Sequence, residues 1–334
     1  MCSFIDPCEP TGARDLRARS RRSDRARPGV APAHSDIAGA SSRCVNPPGT
    51  FADAHASFDD AQFVIVGVPF DRTTSFRPGA RFGPDAIRQQ SWNFESFDLE
   101  TGVDLSEVPI HDLGNTDEFG SAQQMVDGLR EEIRPIFAAG KMPIVFGGDH
   151  ACSPPVVEAY PDPASLGVLY LDAHMDFRAE YLGDPRSHGC SSRRIVERVG
   201  ARNVVVFGVR SVSKQEIEDN RAIGMSYVTA HEIAKEGIES AVQRALNMLK
   251  TDRVYISLDI DAIDPAYAGA TGTPEPFGLT PRDVKFAIGQ AAPRLVGLDI
   301  MEVSPPWDAG NTSSLAARLA REAIVRVVAS HQSH

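Results

Sequence analysis

Acidic and histidine side chains follow three apolar runs of this sequence, with a spacing that suits a metal site. In chain order they are Asp149 and His150; Asp172, His174 and Asp176; and Asp259, Asp261 and Asp264. Residues two apart in an extended segment point to the same side, so side chains within the second and third groups should face one way. Carboxylates gathered at the ends of buried strands cannot all stay ionised without cations. The pattern therefore predicts a site for divalent metal ions.

Two histidines and four aspartates make up the predicted ligand set. Two divalent cations would balance the four negative charges of the aspartates. The set is His150, Asp172, His174, Asp176, Asp259 and Asp261. Nitrogen and oxygen donors together favour a borderline-hard ion, Mn²⁺ first, with Co²⁺, Ni²⁺, Fe²⁺ and Zn²⁺ also possible. Helix capping would account for any one aspartate but not for all six positions. Asp264, which precedes Pro265, is more typical of a turn or of a residue that supports a ligand.

The elements that must position these residues are eight short apolar runs that alternate with helical patterns. The runs cover residues 63–70, 108–115, 142–148, 166–174, 203–210, 225–230, 253–261 and 294–303, and helical stretches cover 121–139, 230–250, 280–290 and 313–329. Runs that are apolar on both faces are typical of buried parallel strands, which predicts an α/β fold with helices on both faces of the sheet. Pro135 should kink the first helix or end it early. A closed barrel and an open doubly wound sheet both fit, and both place their site at the carboxyl ends of the strands.

Composition limits the classes of protein and partner. The 334 residues are 42% hydrophobic and 24% charged, enough to bury a core and unlike a disordered, collagenous or coiled-coil chain. A net charge of −11 repels phosphate backbones and anionic lipid, so neither nucleic acid nor a membrane is an expected partner. The five cysteines have no CxxC spacing, and no apolar run is long enough to span a bilayer. We therefore expect a cytoplasmic protein.

The beginning of the chain differs in composition from the rest. Eight arginines occur before residue 56, among many Ser, Pro, Ala and Gly residues and without helix or strand periodicity. This composition predicts a flexible extension over residues 1–57, followed by a single catalytic domain over residues 58–334. Asp6, Glu9, Asp15 and Asp24 argue against a transit peptide.

The motifs resemble the ureohydrolase family, which includes arginase, agmatinase and guanidinobutyrase. They are GGDH at 147–150, DAHMD at 172–176, SHG at 187–189, SLDIDAIDPAYAGATGTPEP at 257–276 and GLDIMEVSPPWD at 297–308. The resemblance begins at about Phe63 and reaches the C-terminal helix. It implies a three-layer α/β/α fold with an eight-stranded parallel sheet, two Mn²⁺ ions per subunit with Ni²⁺ or Co²⁺ as substitutes, and a homotrimer or homohexamer.

The resemblance also implies roles for individual residues. One metal would be held by His150, Asp172, Asp176 and Asp259, and the second by Asp172, His174, Asp259 and Asp261. Asp176 would hydrogen-bond the hydroxide shared by the metals and relay its proton to the leaving amine. His188 would shuttle protons, and Glu302 would pair with the substrate guanidinium. A Cys190–His188 nucleophile is the competing interpretation of the SHG segment, and the metal centre makes it unnecessary.

The substrate is expected to be a small guanidino compound, and the agmatinase branch fits best. Arg178 replaces an asparagine that helps arginases to grip their amino acid, and GTPEPFG replaces the arginase GTPVVGG. Agmatine cleaved to urea and putrescine is the first expectation. Arg178 could instead bind a carboxylate, as in guanidinobutyrate or guanidinopropionate, or point to solvent or pair with Glu180.

Two positions depart from the family pattern, and they leave room for a longer substrate. Met175 and Phe277 are the departures, and Phe277 could reshape the pocket mouth for a substrate such as aminopropylagmatine. Arginase is less favoured. Two functions of other classes are also less favoured. A single-zinc deacetylase lacks the paired DxD that this sequence has, and a non-catalytic regulator of the same fold would normally have lost metal ligands, whereas none is lost here.

Overall fold

Eight parallel strands form one open sheet in the computed structural model, which describes residues 49–332. The strands are β1 (Phe63–Gly67), β2 (Ile110–Asn115), β3 (Met142–Phe146), β4 (Leu166–Leu171), β5 (Val204–Val209), β6 (Ser226–Thr229), β7 (Arg253–Asp259) and β8 (Leu295–Met301). Their order is β2-β1-β3-β8-β7-β4-β5-β6, and every neighbouring pair is parallel. All eight predicted strands are confirmed. Because β2 and β6 are edge strands, the open doubly wound sheet is correct and the closed barrel is wrong.

Nine α-helices connect and cover the strands of the described region. They are α1 (Gly83–Ser91), α2 (Ala122–Ala138), α3 (Ser153–Glu158), α4 (Ser191–Val199), α5 (Lys214–Ile223), α6 (Ala230–Glu236), α7 (Ile238–Met248), α8 (Pro281–Ala291) and α9 (Asn311–Gln332). The helix predicted over 230–250 is two helices, because Gly237 interrupts it with a φ of 85°. Helix α2 continues past Pro135, so an early end there is wrong. No helix of this region is long and apolar enough to cross a membrane.

Two apolar cores lie on opposite faces of the sheet, as the continuous apolar strands predict. Neighbouring residues alternate between them: Ile144 of β3 belongs to one core and Val145 to the other. Helices α1 and α6–α9 contribute side chains to the first core, and α2–α5 to the second. The fold is therefore the three-layer α/β/α arrangement with an eight-stranded parallel sheet.

Part of the predicted N-terminal extension packs against the body of the protein. Residues 1–48 lie outside the described residues. The Phe51 side chain is fully buried, its ring lies 5.4 Å from that of Phe146, and its N–H donates to Asp112 at 2.7 Å. The packed chain thus begins before the predicted boundary at residue 57. A single aromatic residue in a polar stretch is too weak a signal for sequence patterning to detect.

Candidate active site

The sheet order brings the predicted motifs together, because β3, β8, β7 and β4 are neighbours and all end at the same edge. After β3 the backbone passes close to Phe70, whose carbonyl oxygen accepts the N–H of Asp149 at 2.7 Å. A Cβ on Gly148 would lie only 1.6 Å from that oxygen, so only glycine fits there. Gly148 of the GGDH motif thus allows the close backbone contact with Phe70 that places Asp149 and His150 in the site, and a residue with a side chain would prevent it.

The first group of candidate ligands surrounds one ring nitrogen of His150. Its Nδ1 lies 3.0 Å from Asp259 Oδ2, 3.1 Å from Asp172 Oδ2 and 3.7 Å from Asp176 Oδ2. His150, Asp172 and Asp176 each offer a donor atom within 4.8 Å of the others, which one metal ion can span. All three side chains are buried.

The second group shares Asp172 with the first. Nδ1 of His174 lies 3.1 Å from Asp261 Oδ2 and 3.4 Å from Asp172 Oδ1. Asp172, His174 and Asp261 likewise converge within 4.8 Å. Asp172 therefore lies between two adjacent metal-sized groups, as a bridging carboxylate must. Asp259 contacts His150 but is a member of neither trio, so its predicted bridging role stays a prediction.

The electrostatics of these residues fit divalent cations. Burial, together with neighbouring carboxylates, raises the pKa of Asp176 and of Asp259 well above the usual range. Oδ2 of Asp172 is buried and accepts no hydrogen bond from the described residues. Carboxylates that are buried close to one another need cations to remain ionised. The imidazole and carboxylate donors suit Mn²⁺. His150, Asp172, Asp176, Asp259, His174 and Asp261 are the residues that would hold two such ions.

A buried hydrogen-bond chain supports His150 from behind, and sequence reasoning missed it. Ser257 donates to Asp299 Oδ1 at 2.8 Å, and its oxygen lies 2.9 Å from His150 Nε2. The one serine proton goes to the closer Asp299 carboxylate rather than to Ser153 Oγ at 3.0 Å, so Ser257 accepts from Nε2–H, which leaves Nδ1 free to bind a metal. The His150 ring also stacks on Tyr170, whose hydroxyl donates to Asp176 at 2.8 Å. The sequence signal for this chain was Asp299, a charged residue within the otherwise apolar strand β8.

His188 lies beside the metal groups on the loop before α4. Its Nδ1 is 3.3 Å from Thr73 Oγ1, and its Nε2 is 3.3 Å from Ser75 Oγ. Burial lowers its pKa to about 4, so the ring is neutral near pH 7. Cys190 does not act as its nucleophilic partner, since its thiol points to the Asp184 carbonyl at 3.8 Å and burial raises its pKa to about 11.

Glu302 reaches the site directly after β8, from a backbone with a φ of 62°. Its Oε1 accepts the N–H of His150 at 2.9 Å, and burial, with nearby Asp149, raises its pKa well above the usual range. A Cβ on Gly272 would lie 2.9 Å from Oε2, so the glycine of GTPEP makes room for this carboxylate. A buried carboxylate of this kind needs a cationic partner, and a guanidinium can provide one.

A cavity of about 420 Å³ opens over these residues. Its lining includes His174, Asp176, His188, Asp259 and Glu302, together with Arg178, Tyr181 and Glu216. The Arg178 guanidinium lies over the Tyr181 ring at 4.6 Å and 3.7 Å from Glu216. Two roles outside substrate binding were predicted for Arg178: exposure to solvent and pairing with Glu180. The pairing with Glu180 is wrong, since Glu216 is the acidic neighbour of Arg178 among the described residues.

Three other positions singled out in the sequence contribute no donor atom to the metal groups. Asp264 accepts the N–H groups of Ala266 and Gly278, each at 2.9 Å, which is the turn-forming role expected of it. Met175 is fully buried in the core that contains α2–α5. Phe277 is 89% exposed, with a φ of 66°.

The Arginase family profile matches residues 61–325. The chain belongs to the arginase family. It is 36% identical to agmatinase of Bacillus anthracis over 275 residues, which cover 80% of this chain and 92% of the relative. It is 37% identical to the mitochondrial guanidino acid hydrolase of Homo sapiens over 269 residues, 78% of this chain and 76% of the relative. N(1)-aminopropylagmatine ureohydrolase of Thermococcus kodakarensis is 36% identical over 266 residues, 78% of this chain and 89% of that protein.

Solved structures of the family agree with the fold. Agmatine ureohydrolase of Thermoplasma volcanium superposes with a TM-score of 0.83 at 37% identity, covering 87% of this chain and 98% of that one. This arginase-family member is therefore a ureohydrolase, which cleaves a linear guanidino compound. The deacetylase interpretation is wrong.

Proposed function

We propose that this ureohydrolase cleaves agmatine to urea and putrescine. The supporting observation is the charge around the cavity. Glu302 and Glu216 line it, and Glu275 lies 3.9 Å from His174 Nε2. With the four site aspartates balanced by two divalent ions, the two lining carboxylates outnumber the single cation of the lining, Arg178, and Glu275 adds negative charge beside His174. Agmatine carries a guanidinium and an ammonium, so its two charges complement this surplus.

Each residue then has a distinct task. Bound to the two groups, a pair of Mn²⁺ ions would supply an activated water for attack on the guanidinium carbon. Glu302 pairs with the guanidinium and orients it. Asp176, which lines the cavity, receives a proton during the reaction and relays it to the leaving amine. His188 lines the same cavity and serves proton transfer to the leaving amine.

A guanidino acid is the second candidate substrate, and Arg178 is the observation that favours it. Its side chain is 41% exposed, lines the cavity and stands 3.7 Å from Glu216, so a carboxylate could compete for it. The relatives named above include both a guanidino acid hydrolase and an aminopropylagmatine ureohydrolase at similar identity. Identity alone therefore does not choose among the three substrates.

The deciding experiment is urea release with Mn²⁺ at matched concentrations of agmatine, aminopropylagmatine, guanidinobutyrate, guanidinopropionate and arginine. We expect the highest kcat/KM on agmatine. A higher value on either guanidino acid would overturn the proposal and place Arg178 at the substrate carboxylate. A higher kcat/KM on aminopropylagmatine would overturn agmatine as the substrate but would still agree with an acidic pocket that binds a cationic substrate. An inactive preparation would be retested with Ni²⁺ and Co²⁺ before any comparison is made.

A further inference from the structure

Asp149 is fully buried beside the metal groups yet belongs to neither of them. Its Oδ2 accepts two hydrogen bonds from Thr73, one from the backbone N–H and one from the hydroxyl, each at 2.8 Å. Its Oδ1 accepts the N–H of Ala151 at 3.2 Å. In all three contacts the carboxylate is the acceptor, so Asp149 receives the Thr73 proton rather than supplying one. The acid of the GGDH motif therefore serves Thr73 rather than a metal.

The Thr73 hydroxyl links Asp149 to His188. A hydroxyl has one proton and two lone pairs, and Thr73 gives its proton to Asp149. Both lone pairs remain for His188, whose backbone N–H donates to Thr73 Oγ1 at 3.0 Å and whose Nδ1 lies 3.3 Å from it. An oxygen without a proton to give bonds to Nδ1 only if that nitrogen carries hydrogen.

The consequence reaches the other ring nitrogen of His188. A neutral imidazole holds one N–H, so a proton on Nδ1 leaves Nε2 unprotonated. Nε2 lies 3.3 Å from Ser75 Oγ, and Ser75 lines the cavity together with His188 and Glu302. Ser187 Oγ, which is 3.3 Å from Nδ1, can accept the same Nδ1–H and does not conflict with this arrangement.

We propose that Asp149 and Thr73 are positioning residues that hold His188 with its proton on Nδ1, so that Nε2 faces the substrate as the proton-transferring atom. Nε2 takes a proton from water and passes it to the leaving amine, while Nδ1 keeps its own proton throughout. The inference rests on the proposed proton-transfer role of His188 and is independent of which guanidino compound is the substrate.

The test combines two variants with a direct measurement of the tautomer. Thr73→Val removes the hydroxyl at nearly constant volume, and Thr73→Ser retains it. Imidazole ¹⁵N shifts distinguish Nδ1–H from Nε2–H in protein labelled at its nine histidines, with His188→Gln used to assign the resonance. Zn²⁺ replaces Mn²⁺ in the NMR samples because it is diamagnetic and accepts the same donor set.

We expect wild-type His188 to carry its proton on Nδ1, the less common tautomer of free histidine. Thr73→Val should shift it toward Nε2–H and lower kcat about 10-fold with little change in KM, and Thr73→Ser should restore both. A wild-type proton on Nε2, or an unchanged tautomer in Thr73→Val, would overturn the proposal. If the tautomer behaves as expected but His188→Gln retains the wild-type rate, the proton-transfer role is wrong instead.

Discussion

Glu302 and His150 are joined across two neighbouring strands, because Oε1 of Glu302 accepts the backbone N–H of His150 at 2.9 Å. Glu302 follows β8 and His150 follows β3, which pair in the sheet. The hydrogen bond to the His150 backbone thus fixes the Glu302 carboxylate, which is proposed to bind the guanidinium, relative to a predicted metal ligand.

Glu302→Gln tests the guanidinium contact. The amide keeps an oxygen that can accept the His150 N–H but loses the negative charge, so the site should retain both metals. We expect kcat/KM to fall by roughly 100-fold, since removing one charge of a buried pair costs about 2–5 kcal/mol. Metal content and urea release measure the two effects. Glu180→Gln, on an exposed residue, is the matched control. Unchanged kcat/KM in Glu302→Gln would remove this residue from the pocket.

Asp261→Asn tests the second metal group. Its Oδ2 lies 3.1 Å from His174 Nδ1, and an amide is a weaker ligand than a carboxylate. We expect one of two bound Mn²⁺ ions to be lost on dialysis and turnover to fall by orders of magnitude, with the circular dichroism spectrum retained. Asp264→Asn, a turn-forming aspartate, should keep both ions. Near-normal activity of Asp261→Asn at limiting Mn²⁺ would contradict the two-metal assignment.

Arg178→Met separates the two substrate classes. The thioether chain keeps apolar contact with Tyr181 but removes the positive charge. If agmatine is the substrate, its KM should stay equal or fall several-fold, since a like charge has left the pocket. If a guanidino acid is the substrate, its KM should instead rise at least about 10-fold. Steady-state kinetics on agmatine and guanidinobutyrate with one preparation distinguish these outcomes.

Sequence reasoning succeeded where local patterns determine the structure. Apolar runs such as Leu166–Leu171 define strands, and parallel strands end at one edge, so the convergence of Asp172 with Asp259 could be anticipated. It failed for residues whose role depends on a distant partner. Thr73 matters only because folding places it 2.8 Å from Asp149, and no spacing connects the two. The pairing of Arg178 with Glu216 likewise depends on the placement of α5.

Arg88→Met tests how the N-terminal part of the described chain is anchored. The buried guanidinium donates two hydrogen bonds to Asp112, each at 2.8 Å, and Asp112 also accepts the N–H of Phe51. Removing the cation leaves a buried, uncompensated carboxylate, which costs about 3–5 kcal/mol. We expect a clear fall in the free energy of unfolding in urea. Arg88→Met combined with Asp112→Leu should recover much of it. A loss below about 1 kcal/mol would contradict the anchor.

Ser257→Ala tests the hydrogen-bond chain behind His150. Without the hydroxyl, nothing fixes the proton of His150 on Nε2, and the tautomer with a protonated Nδ1 competes with metal binding. We expect the affinity for one Mn²⁺ ion to fall about 10–100-fold, measured by calorimetric titration of metal-free protein. Asp299→Asn should act in the same direction, because its amide can donate to Ser257 and reverse the chain. Tyr255→Phe removes only the 2.8 Å bond to Asp299 Oδ2, so it should lower stability but spare metal affinity. Equal metal affinity in Ser257→Ala and wild type would show that the chain supports the fold alone.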